Sequence, residues 1–311
     1  MRVIILGGTG FIGQHFANLC RSSAVVVVVS RHLPRSVDRL AEVTYIQGDC
    51  ASPDFLKQVI RPADYVVFLA YNSVPKTSFD DPLLDMQENL PLAINLLTVL
   101  REVPIKRLLY VSSGGTVYGH AKVERPISED HATNPISPYG ITKLSIEKYC
   151  HMYCRIFGVP VVIARPSNPF GPWQIPYRGQ GFVATAVAKI LLREEITIFG
   201  EHGTVRDYLY IDDLVSAMAL LLRADVAVGS LYNIGSSVGM NNVEVLTSIA
   251  DVMGLAFSDL HINYLPVRHF DATYNVLTNH KLKELGWHPS VDFREGLSRT
   301  VEWQAAGMNK V

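Results

Sequence analysis

Tyr139-Gly140-Ile141-Thr142-Lys143 directly follows Pro138, a residue favoured in the first turn of a helix. Positions four apart share a helix face, so the Lys143 ammonium is expected beside the Tyr139 hydroxyl. A phenol with a reference pKa of about 10 is a poor base at neutral pH, and a neighbouring cation favours the phenolate. That chemistry makes Tyr139 a candidate general base and Lys143 its activator. The same spacing also arises from a packed ring and a solvated tip on an ordinary amphipathic helix, so the pair needs a site around it.

A second candidate lies at the start of the chain. The apolar run Arg2-Val3-Ile4-Ile5-Leu6 leads at once into Gly7-Gly8-Thr9-Gly10-Phe11-Ile12-Gly13 and then into an amphipathic stretch through Ser22. Strand, glycine turn and helix in that order form a phosphate cradle, because glycines let backbone amides approach a pyrophosphate and the helix N-terminus favours an anion. The spacing departs from GxGxxG, and Gly7, Gly10 and Gly13 are read as its three working glycines. Dinucleotide binding is the expectation.

The elements that must position these residues follow from the alternation of runs. Strands are expected near 2–6, 24–30, 43–47, 65–69, 106–112 and 160–165, with helices at 12–22, 53–61, 86–102 and 137–157. This is an α/β pattern, a Rossmann-like doubly wound parallel sheet whose ligands bind beyond the carboxyl ends of the strands. Gly7, Ser30-Arg31, Asp49-Cys50, Ala70-Tyr71 and Ser112-Ser113 fall at those ends. After Pro166 the pattern becomes irregular, and a smaller, interleaved α/β substrate domain is expected. The reading is a dinucleotide domain over 1–170, with 206–235 returning to it, and a substrate domain over 171–205 and 236–311.

A chain of 311 residues, 48% hydrophobic with net charge -1, can bury a large core and offers no basic face for nucleic acid or an anionic membrane. No apolar run reaches the length of a membrane span. Leu6 leads straight into the glycine turn rather than into a signal-like apolar region, so a cytoplasmic enzyme is expected. Cys20, Cys50, Cys150 and Cys154 are too scattered for a disulfide framework, and no zinc-ligand spacing or nucleophile elbow is present. No metal is expected.

GGTGFIG at 7–13, GDC at 48–50, SSGGTVYG at 112–119, YGITK at 139–143, ARPSNPFGP at 164–172, RDYLYIDDL at 206–214 and LGW at 285–287 resemble, in this order, the extended short-chain dehydrogenase/reductase superfamily. Within it the chain is similar to the nucleotide-sugar epimerase/dehydratase family typified by UDP-glucose 4-epimerases. The resemblance implies cofactor contacts from Gly7, Gly10, Phe11, Ile12 and Gly13 on the turn. It adds Ser30, Arg31, Asp49, Cys50, Leu69, Ala70, Tyr71 and Ser112 along the strand ends, and Tyr139, Lys143 and Pro166. Lys143 would also meet the nicotinamide ribose. A UDP-sugar would be held by Ser113, Tyr139, Asn168, Arg206, Arg268 and Asn275, with Asn168 and the two arginines at its diphosphate. Asn275 would border the sugar's 2-substituent. A homodimer built through paired helices is also implied.

Two departures from the family pattern bear on chemistry. Where relatives carry Ser or Thr four residues before the tyrosine of the VYG motif, this chain has Gly114, so Ser113 or Thr116 must supply the hydroxyl, with Ser113 ranked ahead. Where NAD enzymes end the second strand on a carboxylate, this chain has Ser30-Arg31, whose guanidinium suits the 2'-phosphate of NADP. The family favours NAD, so NAD and NADP both stand. The expected activity is UDP-sugar 4-epimerisation, for glucose or N-acetylglucosamine substrates and their galacto epimers, through transient oxidation at carbon 4. The rivals are an NADPH-dependent 4-ketoreductase and a dinucleotide-binding protein without catalysis. A 4,6-dehydratase is disfavoured because Gly114-Gly115-Thr116 lacks the acidic pair of that subfamily.

Overall fold

The computed structural model of the chain describes residues 1–120, 124–267 and 272–308. Its elements run β1 (Arg2–Leu6), α1 (Phe11–Cys20), β2 (Val25–Ser30), β3 (Val43–Gln47), α2 (Pro53–Val59), β4 (Tyr65–Phe68), α3 (Pro75–Asp80), α4 (Pro82–Glu102), β5 (Arg107–Val111), α5 (Gly114–Val117), α6 (Pro138–Phe157) and β6 (Val161–Pro166). They continue through β7 (Asn168–Phe170), α7 (Phe182–Leu191), β8 (Ile196–Phe199), β9 (Val205–Tyr210), α8 (Ile211–Arg223), β10 (Leu231–Ile234), β11 (Gly239–Met240), α9 (Asn242–Met253), β12 (Ile262–Leu265), β13 (Tyr274–Asn275), α10 (His280–Glu284) and α11 (Phe293–Met308).

Two compact units share the chain. The first comprises Met1–Ser113, Ser137–Arg165 and Val215–Tyr232, and the second Gly114–Ile136, Pro166–Leu214 and the residues from Asn233 onward. Residues 114–136, expected in the dinucleotide domain, therefore group with the second unit, and the returning segment is narrower than 206–235. The reason is hydrogen bonding: Ile127 N–H donates to the Val276 carbonyl at 2.8 Å and the Ile127 carbonyl accepts from Thr278 N–H at 2.9 Å.

In the first unit the seven-stranded sheet has the order β10-β6-β5-β4-β1-β2-β3, and the pairings from β6 to β3 are parallel. Strands covered on both faces must be apolar throughout, which is why Val3, Ile4, Ile5 and Leu6 are wholly buried, as is most of the valine run of β2. The order reverses between β1 and β4, the place where such sheets open a crevice. α4 and α6 pack together over the sheet, with Leu92, Leu96, Ile146 and Cys150 in the core beside Ile4 and Leu108.

α6 begins and ends as its sequence dictates. The Ser137 side chain accepts from Gly140 N–H, Pro138 takes the first turn, and Gly158 closes the helix in the left-handed region. α3 and the first turn of α4 were not expected. Asp81 caps Leu84 N–H and Pro82 opens α4, so it starts four residues before 86.

In the second unit β9 lies between β11 and β13 and also pairs with β7, while β12 pairs with β8. The buried Asp207 carboxylate accepts from Ser236 N–H and hydroxyl, Ser237 N–H and Leu277 N–H, fastening β9 to two loops of this unit. Among the described residues no helix is long and apolar enough to cross a membrane, and no group of three or more His, Cys, Asp or Glu could hold a metal ion.

Candidate active site

At the crevice between β1 and β4, Gly7 has φ +81°, and a Cβ there would sit 2.6 Å from Ala70 N, so only glycine permits the approach. A Cβ on Gly13 would meet the Gly8 backbone at 2.5 Å, which lets α1 pack against the turn. α1 starts at Gly10 without a side-chain cap or an acidic residue in its first turn, leaving its amides for an external anion. Phe11 and Ile12 occupy that first turn.

A cleft joins this turn to the strand ends. Gly7, Gly10, Ser30, Arg31, Asp49, Cys50, Leu69, Ala70 and Tyr71 all line it, together with Thr9, His32, Asn72 and Leu92. Thr9 donates to the Ser30 hydroxyl at 2.8 Å, and the exposed Arg31 guanidinium donates to Asn72 Oδ1 at 2.6 Å. Burial and the Asp49 charge push the Cys50 thiol up to about 12, which keeps it protonated and makes it a packing group. Asp49 Oδ1 accepts from Ala51 N–H at 2.9 Å, shaping the loop after β3. An uncapped helix start with no acidic residue in its first turn, and a turn with no room for a Cβ, fit a dinucleotide.

Tyr139 and Lys143 stand one turn apart at the start of α6, both buried. The Ser113 side chain lies close enough to the Tyr139 hydroxyl to favour its deprotonation. Lys143 Nζ donates to the Val111 carbonyl at 3.1 Å, lies 4.1 Å from the centre of the Tyr71 ring, and is 5.7 Å from that of Tyr139. Here the structure corrects the simple electrostatic expectation. Desolvation, reinforced by the Asp85 charge, holds the Tyr139 proton more tightly than in water, with Ser113 opposing it. Desolvation likewise pulls Lys143 down to about 7, against the charges of Asp85 and Glu147. Spacing along a helix carries no information on how dry its face will be.

Ser112 is buried beside this pair with its hydroxyl donating to Glu147, and Arg165 grips both oxygens of Glu147 at 2.9 and 2.6 Å. Tyr71 donates to Asp85 Oδ1 at 3.2 Å, Thr142 to its Oδ2 at 2.6 Å, and Ser73 hydrogen-bonds it as well. Asn89 Oδ1 takes Asn72 N–H at 2.8 Å. Asp85, Asn89 and Glu147 were absent from the sequence reading. The signal was available for the first two, since they are polar at i and i+4 on the helical face that continues through Leu92 and Leu96.

In the second unit one sheet gathers three of the expected substrate residues. Its register sets Asn275 beside Arg206 and Asn168 beside Tyr208. Asn168 Nδ2 donates to the Asp207 carbonyl at 3.2 Å, and Asn275 Nδ2 donates to the Gly114 carbonyl at 3.1 Å. Asn275 Oδ1 and Thr116 Oγ1 are buried without a hydrogen-bond partner among the described residues. The Asp207 oxygens are taken by four donors, and the neighbouring Arg206 Nη1 donates to the Val205 carbonyl at 2.9 Å. Pro166 ends β6, and Arg268 lies outside the described residues.

The sheet order, the glycine turn and the Tyr139–Lys143 pair define a dinucleotide-binding enzyme of the short-chain dehydrogenase/reductase type. More particularly, the chain belongs to the NAD dependent epimerase/dehydratase family, whose model matches residues 3–235. It is similar to the UDP-glucose 4-epimerase of Thermotoga maritima solved with UDP-glucose, at 30% identity and TM-score 0.91, covering 99% of this chain and 100% of that one. It also resembles the Thermus thermophilus UDP-glucose 4-epimerase in complex with NAD, at 31% identity and TM-score 0.90, covering 97% and 98%. A dTDP-glucose 4,6-dehydratase of Mycolicibacterium smegmatis is 29% identical over 98% of this chain and 94% of its own.

Proposed function

We propose that this chain is a nucleotide-sugar 4-epimerase acting on a UDP-hexose, interconverting UDP-glucose and UDP-galactose or their N-acetyl forms. The observation that carries the reading is the buried Tyr139 and Lys143, one helical turn apart at the start of α6, with the Lys143 ammonium 5.7 Å from the centre of the Tyr139 ring. The Gly7–Gly13 turn and the cleft beside it would hold NAD, which would supply reversible hydride transfer at carbon 4. Tyr139, once it has lost its own proton to solvent, takes the proton of the sugar's 4-hydroxyl as phenolate and gives it back. Ser113 accepts or donates at the same oxygen, replacing the hydroxyl that Gly114 lacks. Asn168, Arg206 and Arg268 are proposed to hold the diphosphate and Asn275 to border the sugar's 2-substituent, roles that rest on the family resemblance. Binding energy from the nucleotide then keeps the oxidised sugar from leaving.

One feature supports this against the dehydratase relatives: Gly114-Gly115-Thr116 carries no carboxylate. Arg31 at the mouth of the cleft favours a second reading, an NADPH-dependent 4-ketoreductase, because a guanidinium suits a 2'-phosphate. A cytoplasmic homodimer completes the proposal. The deciding experiment incubates the enzyme with each UDP-sugar and NAD, without reductant, and resolves the products by chromatography. The 4-epimer is expected. Its absence throughout, with stoichiometric NADPH oxidation on a 4-keto sugar, assigns the reductase.

A further inference from the structure

A buried carboxylate in the first unit has no place in the reaction described above. Asp85 is 2% exposed on α4, and its oxygens accept from three hydroxyls, those of Tyr71, Ser73 and Thr142. Asn89 Nδ2, one turn on, donates to the Asp85 carbonyl at 2.7 Å and fixes the backbone beneath it. A buried carboxylate is costly unless hydrogen bonds or a cation answer it. The other buried carboxylate of this cluster, Glu147, is answered by the two-pronged Arg165. Asp85 receives no such fork. The cation it faces is Lys143, whose Nζ sits over the ring that Asp85 holds by its hydroxyl.

We propose that Asp85 is a positioning residue for the Tyr139–Lys143 pair, tying the Tyr71 ring against the Lys143 ammonium and supplying a counter-charge that favours the protonated form of this lysine in a dry site. The inference rests on the catalytic reading of that pair but extends it to a residue outside the reacting groups. The groups that face Lys143 are Asp85 from α4, Tyr71 after β4, Tyr110 on β5, and Tyr139 and Glu147 on α6 itself. Of the two carboxylates, Glu147 is neutralised by Arg165, so Asp85 dominates the local balance. Tyr71 and Tyr139 meet edge to face at 5.0 Å between ring centres, so the tether on Tyr71 also fixes one wall of the Tyr139 ring.

The test is a titration that needs no turnover, so failure of the epimerase assignment and failure of this inference are separable. Protein labelled with 13C at lysine Cε is titrated by NMR, with Lys143 assigned by its disappearance in Lys143→Met. The wild-type resonance is expected to titrate near 7. In Asp85→Asn the midpoint should fall by about one unit, the ordinary effect of losing a close opposite charge, and Asp85→Glu should restore part of it. A midpoint that stays or rises in Asp85→Asn overturns the proposal. If that variant does not fold, wild-type protein with 13Cγ-labelled aspartate gives a second reading. One aspartate resonance should step at the Lys143 midpoint and lose the step in Lys143→Met; absence of any such step also overturns it.

Discussion

Tyr139 enters the proposed reaction with its proton held more tightly than in water, because burial outweighs every favourable group around it. Turnover should therefore rise with pH along the acid limb, and that limb should vanish when Tyr139 is replaced. Loss of one proton-transfer group costs about 100- to 10,000-fold, so Tyr139→Phe should lose that much in kcat while still binding the UDP-sugar by calorimetry. A Phe variant with near-normal kcat would refute the base assignment. Ser113→Ala should lower kcat more than Thr116→Ala, since the Ser113 side chain favours deprotonation of Tyr139 and Thr116 Oγ1 has no partner among the described residues. The reverse order in steady-state kinetics would transfer the role to Thr116. The positions of these residues were legible in the sequence because helical spacing and strand ends are local properties. Their proton affinities were not, because desolvation depends on Tyr71, Tyr110 and Asp85, which reach the pair from three other segments.

Between the elements, the Glu147–Arg165 pair links α6 to β6 and forms the wall behind Lys143, with side chains 1% and 5% exposed. Removing one partner strands the other charge in the core, which costs about 3–5 kcal/mol, whereas replacing both with apolar groups is often nearly neutral. Glu147→Gln should accordingly lower the urea-unfolding free energy by about 3–5 kcal/mol, and Glu147→Met with Arg165→Met together should lose much less. Equal losses in the two variants would mean that the pair does not act as a compensated unit. The sequence foretold β6 and α6 within a residue or two, because a β-branched run and a Ser-Pro start are strong local signals. It did not foretell α3, which Pro75 and the bond between Val74 N–H and the Thr77 hydroxyl at 3.0 Å help to start. Nor did it place residues 114–136, whose allegiance is set by pairing Ile127 with Leu277, about half the chain away.

At the scale of the whole molecule, the outer faces of α4 and α6 carry more apolar surface than a lone chain needs. Ile141, Met152 and Ile156 share one face of α6 and are 53%, 39% and 63% exposed, while Leu83 and Met86 at the start of α4 are 58% and 41% exposed. Scattered exposed apolar residues are ordinary, but a row at helical spacing on two packed helices is the surface an isologous contact covers. In a homodimer formed through α4 and α6, each of these side chains would contribute up to about 1.5–3 kcal/mol on full burial. Sedimentation at micromolar concentration should therefore give twice the 34.5 kDa chain mass. The double variant Ile141→Glu/Ile156→Glu should sediment as a monomer while keeping its far-ultraviolet circular dichroism, because neither side chain belongs to the core of the single chain. A wild-type protein that sediments as a monomer, or a double variant that remains a dimer, would remove this face from the assembly.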